Sequence, residues 1–290
     1  MIVYPYINTF RKQGIHVIRY KDIQFLDLLG KGASSPVYQC LINGNHYCSK
    51  VFCSYDYISI DDMIELLTFE INTSNILSGL DHCNNFKGIS YNQHKGKLYI
   101  YLLYGYILTT INIYKYLSTK WMPHSKNNLA IYQLDNTIKL SIIQQLIQGV
   151  INIHSKNIIH ADLKLPNIVI NNNNKITIID YGSACIMDKR LYYNSEYDEF
   201  LGTDGYAAPE LYNNILYYES DIYSLCVCII EILIGNIWYD GNTYKLCRYE
   251  VLHAINRITN KKYKQILMKG INTNYMNRCT LLQLKNIFSY

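Results

Sequence analysis

The sequence has few charged residues, no block of like charges and no long uninterrupted apolar run. Charged side chains make up 17% of its 290 residues, less than in an average soluble domain, and the formal net charge is +5. This mild charge gives no indication of nucleic-acid binding. The most apolar stretch, Ile222 to Ile237, is interrupted by polar residues and is shorter than the ~20 residues that span a bilayer. It therefore predicts a buried core helix.

Cysteine pairs with metal-site or redox spacing are also absent. The nine cysteines are scattered, and no C-x-x-C pair occurs. This pattern predicts free buried thiols in a reducing compartment rather than a disulfide framework or a zinc site. Residues 1–11 lack the basic start and the small-residue cleavage site of a signal peptide. We therefore expect an intracellular protein, cytoplasmic or nuclear, that does not act at a membrane.

The first hundred residues read mostly as strands. Alternating apolar residues and turn signals around Gly30 and Asn43-Gly44 predict an antiparallel sheet. One helix is predicted over Asp61 to Leu80, where apolar residues recur at helical spacing. The predicted strands are Ile23–Leu29, Val37–Leu41, His46–Phe52, Phe86–Tyr91 and Leu98–Tyr104.

After Gly105 the pattern changes to helices. Ile138 to His154 is amphipathic, two short strands follow near residues 168–170 and 176–179, and helical patterns run from Asp221 to the end. We predict an α+β, bilobal fold. A small antiparallel β-sheet lobe with one helix (23–104) precedes a larger, mainly α-helical lobe (105–290), and residues 1–22 form an N-terminal extension. Clefts between lobes are favoured ligand sites.

A glycine-rich turn and a lysine lie on neighbouring predicted strands. In GKGASSPV at 30–37 the glycines would let backbone amides approach phosphate oxygens, although a plain hairpin turn also explains them. Lys50 alternates with apolar neighbours and needs an anionic partner if it points inward. Glu70 and Glu65 on the following helix are both candidates, and we prefer Glu70.

The segment IHADLKLPN at 159–167 carries the strongest chemical signal. It follows the amphipathic helix directly, and the next strand ends in Asp180-Tyr181-Gly182. Two aspartates and an asparagine at this spacing suit phosphoryl transfer, because oxygen ligands hold Mg²⁺ while a separate carboxylate orients the attacking hydroxyl.

From about residue 23 to residue 288 the sequence resembles the eukaryotic protein kinase superfamily. His160 to Asn167 is similar to the catalytic-loop pattern H-R-D-L-x-x-x-N, and Asp180-Tyr181-Gly182 is similar to D-F-G. GTDGYAAPE at 202–210 looks like the segment that ends in A-P-E. Abundant Asn, Ile, Lys and Tyr would also suit an AT-rich genome, such as that of a large DNA virus.

The resemblance implies a role for each matched residue of the helical lobe. Asp162 would orient the substrate hydroxyl and accept its proton, and Lys164 would neutralise charge on the γ-phosphate. Asn167 and Asp180 would bind Mg²⁺. Thr203 would bond to Asp162 and Lys164, a combination that is typical of serine/threonine kinases.

The resemblance also implies the contacts to ATP and three scaffold residues. Lys50 would hold the α- and β-phosphates and pair with Glu70. The scaffold residues are the expected buried ion pair Glu210–Arg278 and Asp221, which would brace the catalytic-loop backbone. The other expected nucleotide contacts are Gly30, Gly32, Ser35 and Val37 at the phosphates, and Leu102, Leu103 and Tyr104 as the hinge beside adenine, with Leu102 as gatekeeper.

The sequence departs from the family pattern at several positions, and two of these departures carry a functional expectation. Ala161 replaces the arginine of H-R-D, which normally meets a phosphorylated activation loop, so we expect activity not to depend on phosphorylation of Ser195. Ser49 stands where we place the usual alanine above the adenine ring, and we expect it to change nucleotide affinity modestly.

The function predicted from these residues is that of a Mg²⁺-dependent, ATP-binding serine/threonine-protein kinase, a transferase that phosphorylates proteins. We expect a monomer whose partners are ATP and a protein substrate, without nucleic acid. The alternative is a catalytically impaired pseudokinase that serves as a binding scaffold. It is disfavoured because Lys50, Asp162, Asn167 and Asp180 are all present. A small-molecule phosphotransferase on a kinase-like fold is disfavoured by the A-P-E triplet.

Overall fold

The computed structural model describes residues 4–31, 35–54, 60–106, 111–112, 135–187, 202–235 and 248–289. The chain divides into two compact units, Met1–Leu80 with Asn84–Leu108, and Asp81–Cys83 with Thr109–Tyr290. The first unit contains an antiparallel sheet and the second is mainly helical. The predicted α+β class is therefore confirmed.

The first unit is built on a five-stranded sheet in the order β1-β2-β3-β5-β4. Two-residue turns join β2 to β3 and β4 to β5. Asn43 and Gly44 both have positive φ, 50° and 76°, as do Lys95 and Gly96 at 49° and 77°. This geometry matches the twist of antiparallel hairpins. The strands are β1 Ile23–Lys31, β2 Pro36–Ile42, β3 Asn45–Cys53, β4 Phe86–His94 and β5 Lys97–Gly105.

Helix α2, Ile60–Leu77, packs its apolar face against this sheet. It ends three residues before the predicted end, because Gly79 adopts φ +84°, the left-handed conformation that commonly terminates a helix. The buried residues of α2 recur at helical spacing and share one core cluster with residues of β4 and β5. Those from α2 are Met63, Ile64, Leu67 and Ile71.

A helix that the sequence analysis did not anticipate, α1, spans Tyr4–Lys12. Its residues Ile7 and Phe10, and Ile15 just after it, are at most 3% exposed. All three belong to the same core cluster as α2. Residues expected to form only an N-terminal extension therefore contribute to the core of the first unit.

The second unit consists of helices and two small sheets. One sheet has the order β6-β8-β9, and the other pairs β7 with β10. Asp135 caps the start of helix α3, and its carboxylate accepts the Thr137 N–H at 3.0 Å. The helices are α3 Asn136–His154, α4 Tyr218–Ile234, α5 Arg248–Asn256, α6 Lys261–Gly270 and α7 Leu281–Phe288. The strands are β6 Ile111–Asn112, β7 Ile158–Ile159, β8 Ile168–Ile170, β9 Ile176–Ile178 and β10 Cys185–Ile186.

Helix α4 contains most of the apolar stretch that was predicted to be a core helix. Its residues from Leu225 to Ile230 are all fully buried. Among the helices that the structure describes, none is long and apolar enough to cross a membrane.

Candidate active site

Lys50 and Glu70 form an ion pair inside the first unit. Lys50 Nζ lies 2.8 Å from Glu70 Oε1 and 3.0 Å from Oε2. The two side chains are only 14% and 4% exposed. Removing one partner of such a pair is strongly destabilising, because the other charge stays buried and uncompensated. Glu65, the second candidate, is exposed, so α2 presents Glu70 to β3.

Tyr104 also holds the Glu70 carboxylate. Its hydroxyl donates to Glu70 Oε1 over 3.2 Å and lies 3.3 Å from Ser74 Oγ. Glu70, Ser74 and Tyr104 are all buried, where hydrogen bonds between polar groups are strong. One carboxylate oxygen therefore accepts from both Lys50 and Tyr104, which fixes its orientation. Sequence reasoning missed this contact because it assigned Tyr104 to the adenine side.

The three predicted hinge residues lie within β5. Leu102 pairs with Lys50, Leu103 with Ser49 and Tyr104 with Cys48. Leu102 and Tyr104 belong to the core cluster of α2, whereas Leu103 belongs to a second cluster, with residues of β1 and β2. The strand continues to Gly105, and the chain leaves the sheet only after that residue.

Ser49 does not share a face of β3 with Lys50, because successive strand residues point to opposite sides of a sheet. Its side chain is fully buried, and its cross-strand partner is Leu103. The residue two positions before Lys50 on the same face is Cys48. The expectation that Ser49 covers the adenine ring does not fit this geometry, because Ser49 faces away from Lys50 and Cys48 shares its face.

The phosphate-loop candidates lie at the ends of β1 and β2. Gly30 pairs with Val37, and Val37 pairs in turn with Lys50. A Cβ placed on Gly30 would meet no atom of the described residues within 4 Å, and Gly30 does not have a positive φ, so neither its described neighbours nor its backbone conformation requires glycine there. The buried Ser35 Oγ has no hydrogen-bond partner among the residues that the structure describes. Gly32 lies outside the described residues.

Asp221, in the first turn of α4, fixes the backbone before Asp162. Its Oδ2 accepts the His160 N–H at 2.8 Å, and its Oδ1 accepts the Ala161 N–H at 2.9 Å. His154 Nε2 lies 2.8 Å from the same Oδ2. Ala161 is held at φ +63°, a left-handed conformation that costs a non-glycine residue about 1–2 kcal/mol. Such strain persists where surrounding contacts enforce it, commonly at functional sites.

Asp162 is the centre of a polar cluster in the second unit. Its Oδ1 accepts the Thr203 hydroxyl at 2.7 Å, and its Oδ2 lies 2.7 Å from Lys164 Nζ. Lys164 Nζ also donates to Thr203 Oγ1 at 2.7 Å, so Thr203 makes both bonds that the resemblance implied. The cluster orients the carboxylate of Asp162 and leaves it 12% exposed.

Asn167 and Asp180 are connected through the backbone of Ile179, just after β9. Asn167 Nδ2 donates to the Asp162 backbone oxygen at 3.0 Å and to Oδ2 at 3.2 Å, and the Asn167 carbonyl accepts the Ile179 N–H at 2.9 Å. Since the amide nitrogen makes these bonds, the amide oxygen is the atom that can ligate a metal. Asp180 is exposed and has φ +66°.

Asn167 and Asp180 together offer two oxygen ligands. This set fits Mg²⁺, and it is too small for a metal site made of protein ligands alone. Within the described ranges, no group of three or more His, Cys, Asp or Glu side chains could hold a metal. Mg²⁺ is usually bound by one or two carboxylates together with waters and substrate phosphates. One carboxylate and one amide oxygen are in keeping with that mode.

The expected scaffold ion pair is present in the second unit. Arg278 Nη1 and Nη2 lie 2.6 Å and 2.7 Å from the two Glu210 oxygens, a bidentate arrangement, and Nη1 also donates to the Glu219 carbonyl at 2.8 Å. Ser220 Oγ donates to Glu210 at 2.7 Å. The pair ties the segment after Ala208-Pro209 to the start of α4.

A lysine–glutamate pair between a strand and a helix of the first unit, and an aspartate–lysine–threonine cluster in the second unit, are the arrangement expected of the protein kinase class. The chain belongs to the protein kinase family, since the family model described as protein kinase domain matches residues 23–287. The family uses ATP and a divalent metal and acts on protein substrates. The family assignment from the sequence is therefore confirmed.

Relatives of the chain carry kinase names. Protein R436 of Acanthamoeba polyphaga mimivirus, named a serine/threonine-protein kinase, is 25% identical over 257 residues, which cover 83% of this chain and 89% of R436. Protein L673 of the same virus, with the same kind of name, is 30% identical over 82% of this chain and 39% of L673. Serine/threonine-protein kinase PKH3 of Saccharomyces cerevisiae is 28% identical over 87% of this chain and 28% of PKH3. The chain thus spans most of R436 but well under half of the other two.

Proposed function

We propose that the chain is an active, Mg²⁺-dependent serine/threonine-protein kinase, and that Asp162 orients the substrate hydroxyl and accepts its proton. The observation that supports this proposal best is the contact set of Asp162. Thr203 and Lys164 each bond to one of its oxygens at 2.7 Å, so the carboxylate has a fixed direction and an exposed edge. Positioning of the attacking hydroxyl is the main task of protein groups in phosphoryl transfer.

The other residues of the second unit have complementary roles. Lys164 places a positive charge beside Asp162 and neutralises charge that develops on the transferred group. Asn167 and Asp180 hold the metal through their oxygens. Asp221 has a scaffold role, because its two oxygens accept the N–H groups of residues 160 and 161 and one of them also contacts the His154 ring. When bound, Mg-ATP supplies the phosphoryl group, and its metal neutralises the phosphate oxygens.

The first unit supplies the nucleotide contacts. Lys50, oriented by Glu70, binds the α- and β-phosphates of ATP. Because Gly30 has no side chain, the space beside its backbone is open, which suits a close approach of phosphate oxygens to the backbone. The buried Ser35 hydroxyl, which has no partner among the described residues, can donate to such an oxygen.

A peptide-library phosphorylation assay with Mg-ATP tests this function. We expect the wild type to phosphorylate serine or threonine peptides, and Asp162→Ala to lower the rate by about 10²-fold or more, the usual contribution of a positioned acid–base group. Asp81→Ala is the matched control, since Asp81 is an exposed aspartate of the same unit and should leave the rate unchanged. EDTA should abolish the reaction.

The assay also separates the kinase from a scaffold. A folded wild type that binds its partners but transfers no phosphate in Mg-ATP would identify a pseudokinase. Equal rates for the wild type and Asp162→Ala would contradict the role of Asp162. Phosphorylation of tyrosine peptides alone would contradict the serine/threonine specificity.

A further inference from the structure

The N-terminal segment of residues 4–18 is built into the first unit at the position of α2. Ile7 and Phe10 are 1% and 3% exposed, and both lie in the core cluster that contains the inner face of α2. Tyr6 donates its hydroxyl to Asp61 Oδ1, in the first turn of α2, at 2.8 Å. The segment is outside residues 23–287, which match the protein kinase family, so the family pattern does not account for it.

The chain that follows α1 is bonded to the edge strand of the sheet. Ile18 N–H donates to the Ile89 carbonyl at 2.8 Å, and Ile89 N–H donates to the His16 carbonyl at 2.9 Å. Val17 forms a parallel bridge with Ile89. A segment bonded on both sides of one residue has a defined register with β4, so α1 cannot slide along the sheet without breaking these bonds.

Gly88 shows that β4 is adapted to this segment. Its φ is +133°, and a Cβ placed there would lie 2.2 Å from the His16 carbonyl oxygen, a distance that real side chains do not reach. Only glycine therefore permits the approach of residues 16–18. The contact requires a specific residue in the strand as well as apolar residues in the helix.

The same face of α2 that packs in this cluster also presents Glu70. Glu70 lies one residue before Ile71 and three after Leu67, and both of these apolar residues are at most 4% exposed. Because residues three apart are neighbours on a helix surface, any rotation of α2 that displaces Leu67 or Ile71 also displaces Glu70. The position of Glu70 relative to Lys50 thus depends on what holds α2 in place.

We propose that residues 4–18 are an intramolecular clamp that holds α2 in the position where Glu70 bonds to Lys50. The residues of the clamp are positioning residues: they touch neither ATP nor the metal and act through α2. A kinase with such a clamp keeps its lysine–glutamate pair without a separate activating protein bound to α2. The proposal rests on the proposed kinase function for its effect on catalysis, and the contacts of the clamp are independent of it.

The test compares two substitutions that remove the same atoms from opposite faces of the sheet. Ile7→Ala opens a cavity in the cluster that α1 shares with α2, β4 and β5, whereas Ile42→Ala opens one in the second cluster, with Ile23, Cys40 and Leu103. Both isoleucines are buried, at 1% and 7% exposure, so the two losses of stability should be similar. Thermal unfolding of both full-length variants checks this similarity.

The activity measurement uses a double-mutant cycle with Glu70→Gln. We expect Ile7→Ala to lower kcat/KM for ATP by about tenfold when Glu70 is present, and to have almost no further effect in the Glu70→Gln background, because both changes act on one ion pair. Ile42→Ala should change kcat/KM by less than about twofold, as sites without shared partners do. A purely structural role of Ile7 would give the same loss in both backgrounds and would overturn the proposal.

A second measurement does not depend on phosphate transfer. Hydrogen exchange of the α2 amides from Ile64 to Leu77 should accelerate in Ile7→Ala and stay unchanged in Ile42→Ala. If the wild type transfers no phosphate, the proposed function fails, and this measurement still decides whether the clamp holds α2. If Ile7→Ala does not fold, Tyr6→Phe removes only the bond to Asp61 and should accelerate exchange at the start of α2. The clamp would be contradicted if the α2 amides of Ile7→Ala exchanged at the same rate as those of the wild type. If Tyr6→Phe is used instead, the same result for that variant would contradict it.

Discussion

Thr203 donates its hydroxyl to Asp162 Oδ1 at 2.7 Å, and the same oxygen atom of Thr203 accepts from Lys164 Nζ at 2.7 Å. The threonine therefore bridges the two residues that are proposed to act on the substrate hydroxyl and on the phosphate. It also connects residues 162–164 to the segment that ends at Glu210.

Thr203→Ala should lower kcat by about 10–100-fold, because a small misplacement of a catalytic group has an effect of this size. The KM for ATP should change little, since Thr203 has no proposed contact with the nucleotide. Thr203→Ser keeps the hydroxyl and should retain most of kcat. Steady-state kinetics at varied ATP measure both constants. A Ser variant as impaired as the Ala variant would show that the methyl group of Thr203, and not its hydroxyl, is required.

Tyr104→Phe removes the donor that lies 3.2 Å from Glu70 Oε1 and keeps the ring. A hydrogen bond to a charged group contributes roughly 1.5–3 kcal/mol, so we expect kcat/KM for ATP to fall by about tenfold or more. The measurement is initial rate against ATP concentration. Tyr101→Phe is the control, because Tyr101 is also a buried tyrosine of β5 but points to the other face of the sheet. Equal losses in both variants would contradict a role for the Tyr104 hydroxyl.

Much of the fold follows from local sequence signals. The Asn43-Gly44 pair correctly predicted the turn between β2 and β3, because few residues other than Asn and Gly adopt two successive positive φ values. The preference for Glu70 over Glu65 agrees with the ion pair, and helical spacing could have decided it: Glu70 follows Leu67 by three residues on the buried face.

The features that were not predicted depend on long-range contacts. Among the α1 residues whose burial the structure describes, two are buried, Ile7 and Phe10, and two apolar positions are too few for a periodic pattern. The bond from Tyr104 to Glu70 joins residues 34 positions apart and needs the register of β5 against α2. The placement of Ser49 beside the adenine ring could have been avoided from the sequence alone. Successive strand residues point to opposite faces of a sheet, so Ser49 and Lys50 cannot share a face.

Arg278→Met should destabilise the protein by about 3–5 kcal/mol, because it leaves the Glu210 carboxylate buried without its partner. Urea unfolding measures the change. The double variant Glu210→Gln with Arg278→Met should recover part of the loss, since no unpaired charge remains. Arg19→Ala breaks an exposed pair with Asp22 and should cost less than about 1 kcal/mol. A loss for Arg278→Met as small as that for Arg19→Ala would contradict a buried structural ion pair.

The buried thiols should resist alkylation in the folded protein. Burial raises the pKa of Cys40 to about 12, and burial also raises the pKa of Cys83 to about 11, so at pH 8 almost no reactive thiolate is present. Iodoacetamide labelling followed by peptide mass spectrometry should find both residues unmodified until urea is added. The unfolded thiols lose protons above about pH 9 while the folded ones keep theirs, so these groups also make stability fall between about pH 9 and pH 12. Rapid labelling of Cys40 in the native state would contradict its burial.

Activity should not depend on phosphorylation of Ser195, a residue outside those that the structure describes. The family's arginine, which would bind a phosphate on that loop, is replaced by Ala161, and an alanine side chain has no donor for an anion. The side chain is also 3% exposed, and Asp221 holds its backbone N–H, so nothing at this position can respond to an added phosphate. Ser195→Ala and Ser195→Glu should both keep kcat within about twofold of the wild type, because Ala161 offers no donor that could bind a phosphate or a carboxylate in its place. Phosphatase treatment of purified protein before the kinase assay is the matching test on the unmutated chain. A folded Ser195→Ala variant without activity would show that another basic group has taken over the role of the missing arginine.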